Sequence, residues 1–190
     1  MKKKAIFLDR DGTINIDKHY MYKIEDFEFV DGAVEGLKIL NKMGYILIVV
    51  TNQGGIGRGF FSEEDTEKLN NFMVEELYKK GIEIKKCYYC PHHPEKGLGK
   101  YKINCNCRKP NPGMILQGAE EFDIDLENSY MIGDKFIDAQ AGLNAGVKPI
   151  IVKTGKEITQ EILDSNIPVY STIYEFAKFL LKKSENMCKK

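Results

Sequence analysis

Asp9 and Asp11 are separated by one residue and followed by Gly12-Thr13, at the end of the apolar run Ala5-Ile6-Phe7-Leu8. A short apolar run that breaks into acids at i and i+2 predicts a buried strand whose end delivers both side chains to one side of a pocket. There one carboxylate can attack an electrophile while the other moves protons. Taken alone, the pair is equally compatible with turn chemistry or an incidental cation site. Two more polar clusters end apolar runs: Thr51-Asn52-Gln53 after Tyr45 to Val50, and Gly133-Asp134-Lys135 after Tyr130-Met131-Ile132. Lys109 precedes a predicted helix on the same side. Such a set suits a phosphoryl group and a hard divalent cation. Asp9 and Asp134 suffice as side-chain ligands for Mg²⁺, which shields phosphate from an attacking carboxylate. Thr51 and Lys109 then hold the transferring oxygens. Asp11 must carry a proton when the leaving alkoxide departs, and a neighbouring carboxylate is expected to raise its pKa toward that role.

A second constellation is Cys90-x-His92, twelve intervening residues, then Cys105-x-Cys107. Ligand types and grouping point to Zn²⁺, and four protein ligands close a tetrahedron, so the metal is expected to be structural. Its task would be to fix the loop at about 90–107, which leads into Arg108 and Lys109. Cys87 could replace Cys90 or His92 in a different register, and His93 is a further rival. Five cysteines, four of them between Cys87 and Cys107, do not resemble a secreted disulfide framework. Cys188, near the chain end, is expected to be inert.

The elements that must position these residues alternate between strand and helix. After the first strand, residues 15–29 are polar and aromatic without a period and read as a flap. A helix begins at Gly32 and stops at Gly44; Tyr45 to Val50 suits a central parallel strand. Ser62 and Asp65 have capping-box spacing before Leu69, Met73 and Leu77, and that helix closes near Gly81. A strand over Ile82 to Tyr89 leads into the cysteine loop. Asn111-Pro112 predicts an N-cap and first position for a helix to about Phe122. A small-residue helix runs to Ala145, where Asp138 either orients Lys135 or caps the helix. Val147 to Val152 forms another strand, placed near an edge because of Pro149. The tail at about 154–190 offers a weak helix, a short strand at Pro168 to Tyr170, and a helix over Ile173 to Leu181 with a frayed lysine-rich end. This order predicts an α/β protein with a Rossmann-like parallel sheet flanked by helices, a single domain over residues 1–190. The site is then expected beyond the carboxyl ends of the strands.

Composition agrees with a globular enzyme. Of 190 residues, 43% are hydrophobic and 29% charged, with 28 basic side chains balancing 28 acidic ones. Zero net charge argues against a nucleic-acid or membrane-surface partner. The apolar run after Lys2-Lys3-Lys4 is too short for a signal peptide, and the run at Tyr45 to Val50 falls far below the roughly 20 residues of a membrane helix. A cytoplasmic protein is expected.

In order along the chain, Asp9-Arg10-Asp11-Gly12-Thr13, Thr51, Lys109 and Gly133-Asp134 with Asp138 resemble the four motifs of the haloacid dehalogenase superfamily of phosphatases. Thr51-Asn52-Gln53 and Cys105-Asn106-Cys107-Arg108-Lys109-Pro110 are similar to its branch of heptose-bisphosphate phosphatases and histidinol-phosphatases. The segments Ile56 to Phe61, Cys90 to Pro94 and Arg108 to Met114 lean toward the heptose enzymes. The resemblance implies Asp9 as nucleophile, Asp11 as general acid and then base, and Thr51 and Lys109 at the phosphoryl group. It implies Mg²⁺ on Asp9, the Asp11 backbone carbonyl and Asp134. It places Arg10, Asp17, Lys18, His19, Tyr20, Asn52, Gln53, Gly54, Arg108 and Lys135 around a small sugar phosphate. The implied reaction is removal of the 7-phosphate of a heptose 1,7-bisphosphate in nucleotide-heptose precursor synthesis, by a monomer without a separate cap domain. Histidinol phosphate and a polynucleotide 3'-phosphate are the rival substrates, and a catalytically silent zinc-stapled binding module is the rival of another class.

Overall fold

The computed structural model describes residues 2–187; Cys188 lies outside them. Six strands form one sheet: β1 (Ala5–Leu8), β2 (Ile46–Asn52), β3 (Ile84–Cys90), β4 (Tyr130–Gly133), β5 (Lys148–Val152) and β6 (Val169–Tyr170), in the order β3-β2-β1-β4-β5-β6. Every neighbouring pair is parallel. Parallel neighbours need crossovers, and these supply helices α1 (Ala33–Lys42), α2 (Gly54–Gly57), α3 (Glu63–Lys79), α4 (Gly113–Phe122), α5 (Phe136–Ala145), α6 (Gln160–Asp164) and α7 (Ile173–Met187).

The buried positions of the strands are mostly apolar because both faces are covered, Thr51 at the carboxyl end of β2 being a polar exception. Ile6, Leu8, Leu47 and Val49 pack with Leu37, Met73 and Phe176 from α1, α3 and α7, whereas Ala5, Phe7, Ile48 and Val50 pack with Met114, Ile115 and Ala141 from α4 and α5. Each fully buried Leu or Ile contributes roughly 1.5–3 kcal/mol of transfer free energy. Gly118 on α4 lets that helix approach, since a Cβ there would stand 3.2 Å from both Phe7 and Tyr88. The Ser62 capping box is formed, with Asp65 N–H donating to Ser62 Oγ at 3.1 Å and Ser62 N–H to Asp65 Oδ2 at 2.8 Å.

The strand with Pro149 lies near an edge as expected: β5 is second from the end of the sheet, with only the two-residue β6 outside it. Ile151 N–H donates to Pro168 on the β6 side, so by alternation the missing donor of Pro149 also faces that side, ahead of the first paired residue of β6. Two local expectations are corrected. Asn111 does not cap α4. Pro112 occupies the cap position, and the Asn111 amide donates to the Cys105 carbonyl at 2.8 Å instead. The last helix continues past Leu181 to Met187.

The strand order reverses direction of growth between β1 and β4, which opens a crevice above their carboxyl ends. Among the described residues no second sheet covers it. Its borders include Asp17, His19 and Tyr20 of the 15–29 flap and Arg108 and Lys109 after the cysteine loop.

Candidate active site

Asp9 is the first residue beyond β1, and its N–H donates to the Ile132 carbonyl on β4 at 2.9 Å, across the point where the order reverses. Beyond Leu8 the chain bends at Arg10, and Asp9 and Asp11 both line the cavity whereas Arg10 does not. Asp9, Asp11, Thr51, Lys109, Lys135 and Asp138 all line one polar cavity of about 330 Å³ at this crevice. The three strand ends therefore converge as their apolar runs predicted.

Lys109 is buried, and its ammonium lies 2.8 Å from Asp9 Oδ1 and 2.7 Å from Asp138 Oδ1. Burial alone would lower its pKa, but Asp138 and Asp9 reverse this and raise it, so it stays a cation. Asn52 fixes the Lys109 backbone reciprocally: its amide donates to the Lys109 carbonyl and its Oδ1 accepts the Lys109 N–H, both at 3.0 Å. The Lys109-Pro110 peptide is cis. Asp9 is raised by burial and Asp138 against the opposing pull of Lys109.

Asp134 follows β4, is 0% exposed, and stands behind the cavity wall. Its Oδ2 accepts the Lys156 N–H at 3.0 Å, while its buried Oδ1 accepts no hydrogen bond and has the Lys135 ammonium at 3.5 Å. Burial and Asp9 raise its pKa to about 7. One oxygen each from Asp9, Asp134 and Asp138 lie within 4.8 Å of one another. A hard cation fits here, because it would partner the orphaned oxygen and neutralise crowded carboxylates. Glycines make the room: a Cβ on Gly12, whose φ is +89°, would sit 2.5 Å from Asp134 Oδ2, and one on Gly155 would sit 2.1 Å away.

Asp11 departs from expectation. Burial pushes its carboxyl up, but the Arg10 charge and donors from Arg10, Asn15 and Gln53 outweigh this and hold it below the usual carboxylate range. Arg10 reaches Asp11 with Nε at 3.2 Å and Nη2 at 3.0 Å; Asn15 and Gln53 donate at 3.0 and 2.8 Å. The neighbouring carboxylate does not set its titration; its own hydrogen-bond shell does.

Of the residues placed around the sugar phosphate, Asp17, His19, Tyr20, Asn52, Gln53, Gly54, Arg108 and Lys135 line the cavity. Arg10 and Lys18 do not. Arg10 is fully buried behind Asp11, where Nη1 donates to Asn70 of α3 at 2.9 Å. Lys18 turns outward to Glu28 at 3.4 Å. Four further residues contribute: Asp138, which the sequence marked only as a helix cap or a partner of Lys135, and Gly55, Ile137 and Lys156, which it did not place here. Asp138 addresses the Lys109 ammonium, besides capping α5 by accepting the Lys135 N–H at 3.0 Å. Gly55 and Ile137 complete the lining. Lys156, in the tail, holds Asp134 through its backbone and lies 3.6 Å from Asp17 through its ammonium. The signal for Asp138 was its placement one turn after Asp134; Lys156 gave none.

Cys90, His92, Cys105 and Cys107 converge beside the site, all four offering ligand atoms within 4.8 Å. The sulfurs are 3.0 to 3.4 Å apart, and His92 Nδ1 is 3.4 Å from Cys107 Sγ. Three thiols and an imidazole fit a tetrahedral Zn²⁺. Cys87 is excluded by strand geometry: three residues from Cys90, it faces the opposite side of β3 and packs on the core, where burial raises its pKa to about 12. His93 is also outside the group, its Nδ1 accepting the N–H groups of Glu95 and Lys96 at 3.3 and 3.1 Å. The loop is clamped to α2, with Gly57 N–H donating to the Pro91 carbonyl at 3.0 Å and Leu98 N–H to the Gly57 carbonyl at 2.7 Å. A Cβ on Gly57 would meet the Pro91 carbonyl at 2.6 Å, so glycine there serves close packing. Arg108 is held by the same loop, donating from Nη1 to the His92 carbonyl at 3.0 Å.

Known proteins resemble this chain in sequence and fold. A HAD-hydrolase-like family model matches residues 106–175. The D-glycero-beta-D-manno-heptose-1,7-bisphosphate 7-phosphatase of Pasteurella multocida is 51% identical over 160 residues, covering 84% of this chain and 86% of that protein. The protein of the same name from Vibrio cholerae is 45% identical over 183 residues, covering 96% and 98%. The crystal structure of D,D-heptose 1,7-bisphosphate phosphatase from B. bronchiseptica, complexed with magnesium and phosphate, superposes with a TM-score of 0.82 at 30% identity, covering 95% of this chain and 99% of that one. This chain belongs to the D-glycero-beta-D-manno-heptose-1,7-bisphosphate 7-phosphatase family, within the haloacid dehalogenase-like hydrolases.

Proposed function

We propose that the protein is a phosphatase that removes the 7-phosphate of D-glycero-β-D-manno-heptose 1,7-bisphosphate, through a phosphoryl group carried on Asp9. The observation that carries the reaction class is the Asp9 carboxylate at the strand-order reversal, 2.8 Å from the buried Lys109 ammonium and beside Asp134. The choice of heptose bisphosphate rests on the named relatives. A carboxylate oxygen of Asp9 attacks phosphorus as the bond to the C7 oxygen breaks. Lys109 and the Thr51 hydroxyl bind the phosphoryl oxygens and stabilise the charge that spreads over them. Asp11 protonates the departing C7 alkoxide, then takes a proton from the water that attacks phosphorus of the aspartyl phosphate, which releases phosphate and restores Asp9.

At rest Asp11 is ionised, held so by Arg10. It is thus ready for the base step, and the negative phosphate entering beside it raises its proton affinity for the acid step. Gln53 bonds both Asp11 at 2.8 Å and Thr51 at 3.0 Å and keeps the proton carrier in register with the phosphoryl site. Mg²⁺, held by Asp9, Asp134 and the Asp11 backbone carbonyl, would supply charge neutralisation for the incoming phosphate. Zn²⁺ on Cys90, His92, Cys105 and Cys107 would fix the loop that presents Arg108 and Lys109. Thiols kept for metal suit a reducing compartment, which supports a cytoplasmic location.

The test is phosphate release from heptose 1,7-bisphosphate, histidinol phosphate and a 3'-phosphorylated oligonucleotide, with and without Mg²⁺, for the wild type and Asp9→Asn. Preference for the heptose bisphosphate, dependent on Mg²⁺ and abolished in Asp9→Asn, is expected. A preference for histidinol phosphate would overturn the substrate assignment, and activity surviving in Asp9→Asn would overturn the covalent route.

A further inference from the structure

We infer that Lys156 is a positioning residue of this site: through Asp17 it holds the turn of the flap that walls the cavity. His19 and Tyr20 have φ of +57° and +50°, a left-handed conformation that side chains with a Cβ disfavour, and two in succession require an external constraint. Both residues line the cavity. Asp17 supplies the constraint, because its Oδ1 accepts the His19 N–H at 3.0 Å. Its other oxygen faces two ammonium groups, Lys135 at 3.4 Å and Lys156 at 3.6 Å.

The two lysines are not equivalent. Lys135 is shared: it also lies 3.5 Å from Asp134 and lines the cavity, where an anionic substrate would compete for it. Among the described residues, Asp17 is the one carboxylate within ion-pair reach of the Lys156 ammonium. Lys156 can therefore keep Asp17 on the His19 N–H while Lys135 turns to substrate. Its own backbone is anchored, since its N–H donates to Asp134 Oδ2 at 3.0 Å, and two residues earlier Thr154 Oγ1 donates to the Gly12 carbonyl at 2.7 Å. One short segment thus ties the flap to the two carboxylate-bearing turns. At the far end of the turn, Tyr20 is held by a hydrogen bond from Arg58 and by an edge contact with Phe60 at 4.8 Å.

The structural part of this inference is independent of the reaction; its kinetic consequence rests on the function proposed above. Amide hydrogen exchange over residues 17–22 is to be measured on the ligand-free full chain for the wild type, Lys156→Met and Lys156→Arg. Lys156→Met keeps the backbone N–H on Asp134 and removes only the ammonium. Exchange about two- to fivefold faster in Lys156→Met is expected, the scale of a partly exposed pair, with recovery in Lys156→Arg. Unchanged exchange in Lys156→Met would overturn the inference, as would faster exchange that arginine does not restore. On heptose 1,7-bisphosphate, the KM of Lys156→Met is expected to rise by a larger factor than kcat falls; a pure loss of kcat would count against positioning. Should the wild type fail to turn over that substrate, the proposed function falls, while the exchange arm still decides the role of Lys156.

Discussion

The Lys109 ammonium and the Asp9 carboxylate, 100 residues apart in the chain, meet at 2.8 Å in a site where both side chains are almost fully buried. Their contact joins the loop after the cysteine cluster to the end of β1. The buried ammonium between Asp9 and Asp138 offsets part of their negative charge, so its loss exposes the desolvation cost of two carboxylates.

Lys109→Met is therefore expected to fail in two measurements. Turnover should fall by about 100-fold or more, because the phosphoryl oxygens lose a preorganised charge. Unfolding free energy in urea should fall by about 3 kcal/mol at neutral pH, since an uncompensated buried charge remains. The deficit should shrink in acid. Asp9, raised by burial, is a group whose folded form binds protons more readily than the unfolded one, so its protonation as pH falls favours the folded chain. A variant as stable and active as the wild type would contradict the assigned pairing.

The positions of Asp9, Thr51 and Asp134 were legible in the sequence because each ends an apolar run, and a run's termination is a local signal. The direction of their neighbours was less so. Arg10 between two aspartates reads as part of a polar cluster, yet its guanidinium reaches past Asp11 to Asn70 of α3, a partner that no local pattern announces. The place of β5 near the sheet edge was legible because Pro149 reports a missing donor. Asp138 and Lys156 act on partners fixed only by the order in which the strands assemble. The grouping of Cys90, His92, Cys105 and Cys107 was legible from spacing, and the choice between Cys90 and Cys87 needed the face of β3.

The zinc assignment separates from folding by comparing two cysteines. Cys105→Ser is expected to lose stoichiometric zinc, measured by atomic emission on protein purified without added metal, and to become proteolytically sensitive between residues 91 and 107. Cys87→Ser, on the opposite face of the strand, should keep its zinc. Zinc retained in the first or lost in the second would refute the ligand set.

Glu63 gives the outer part of that loop a pH dependence. It accepts hydrogen bonds from Tyr101 at 2.6 Å and Tyr89 at 3.1 Å, and the Tyr101 bond is the main reason that its carboxyl lies below the ordinary value of 4.5. The folded form thus releases its proton more readily than the unfolded one. Its contribution is complete above the ordinary glutamate range and is lost as pH falls through the depressed folded value. Urea midpoints measured from neutral pH to about pH 3 should fall less steeply in Glu63→Gln than in the wild type, the sign set by the proton linkage. Parallel profiles would show that the Tyr101 contact carries no linked proton.

Gly155 lies outside every recognisable motif, yet its missing side chain decides whether Asp134 can stand where a cation needs it. A Cβ at this position would come within 2.1 Å of Asp134 Oδ2 and 2.8 Å of its Cβ, so one of the two must move. Asp134 is wholly buried and has Gly12 on its other side, where a displaced carboxylate would meet backbone. The loop is the softer partner, but its shift also drags the Lys156 N–H off Asp134. Gly155→Ala should consequently raise the Mg²⁺ concentration for half-maximal activity by about 10- to 100-fold, the usual cost of disturbing the groups that orient a metal ligand. Saturating Mg²⁺ should restore much of kcat, because Asp9, Asp11, Thr51 and Lys109 are untouched by the substitution. A variant with the wild-type Mg²⁺ requirement would show that Asp134 is not held to the cation by this segment, whereas a kcat that Mg²⁺ cannot rescue would place the damage in the phosphoryl site itself.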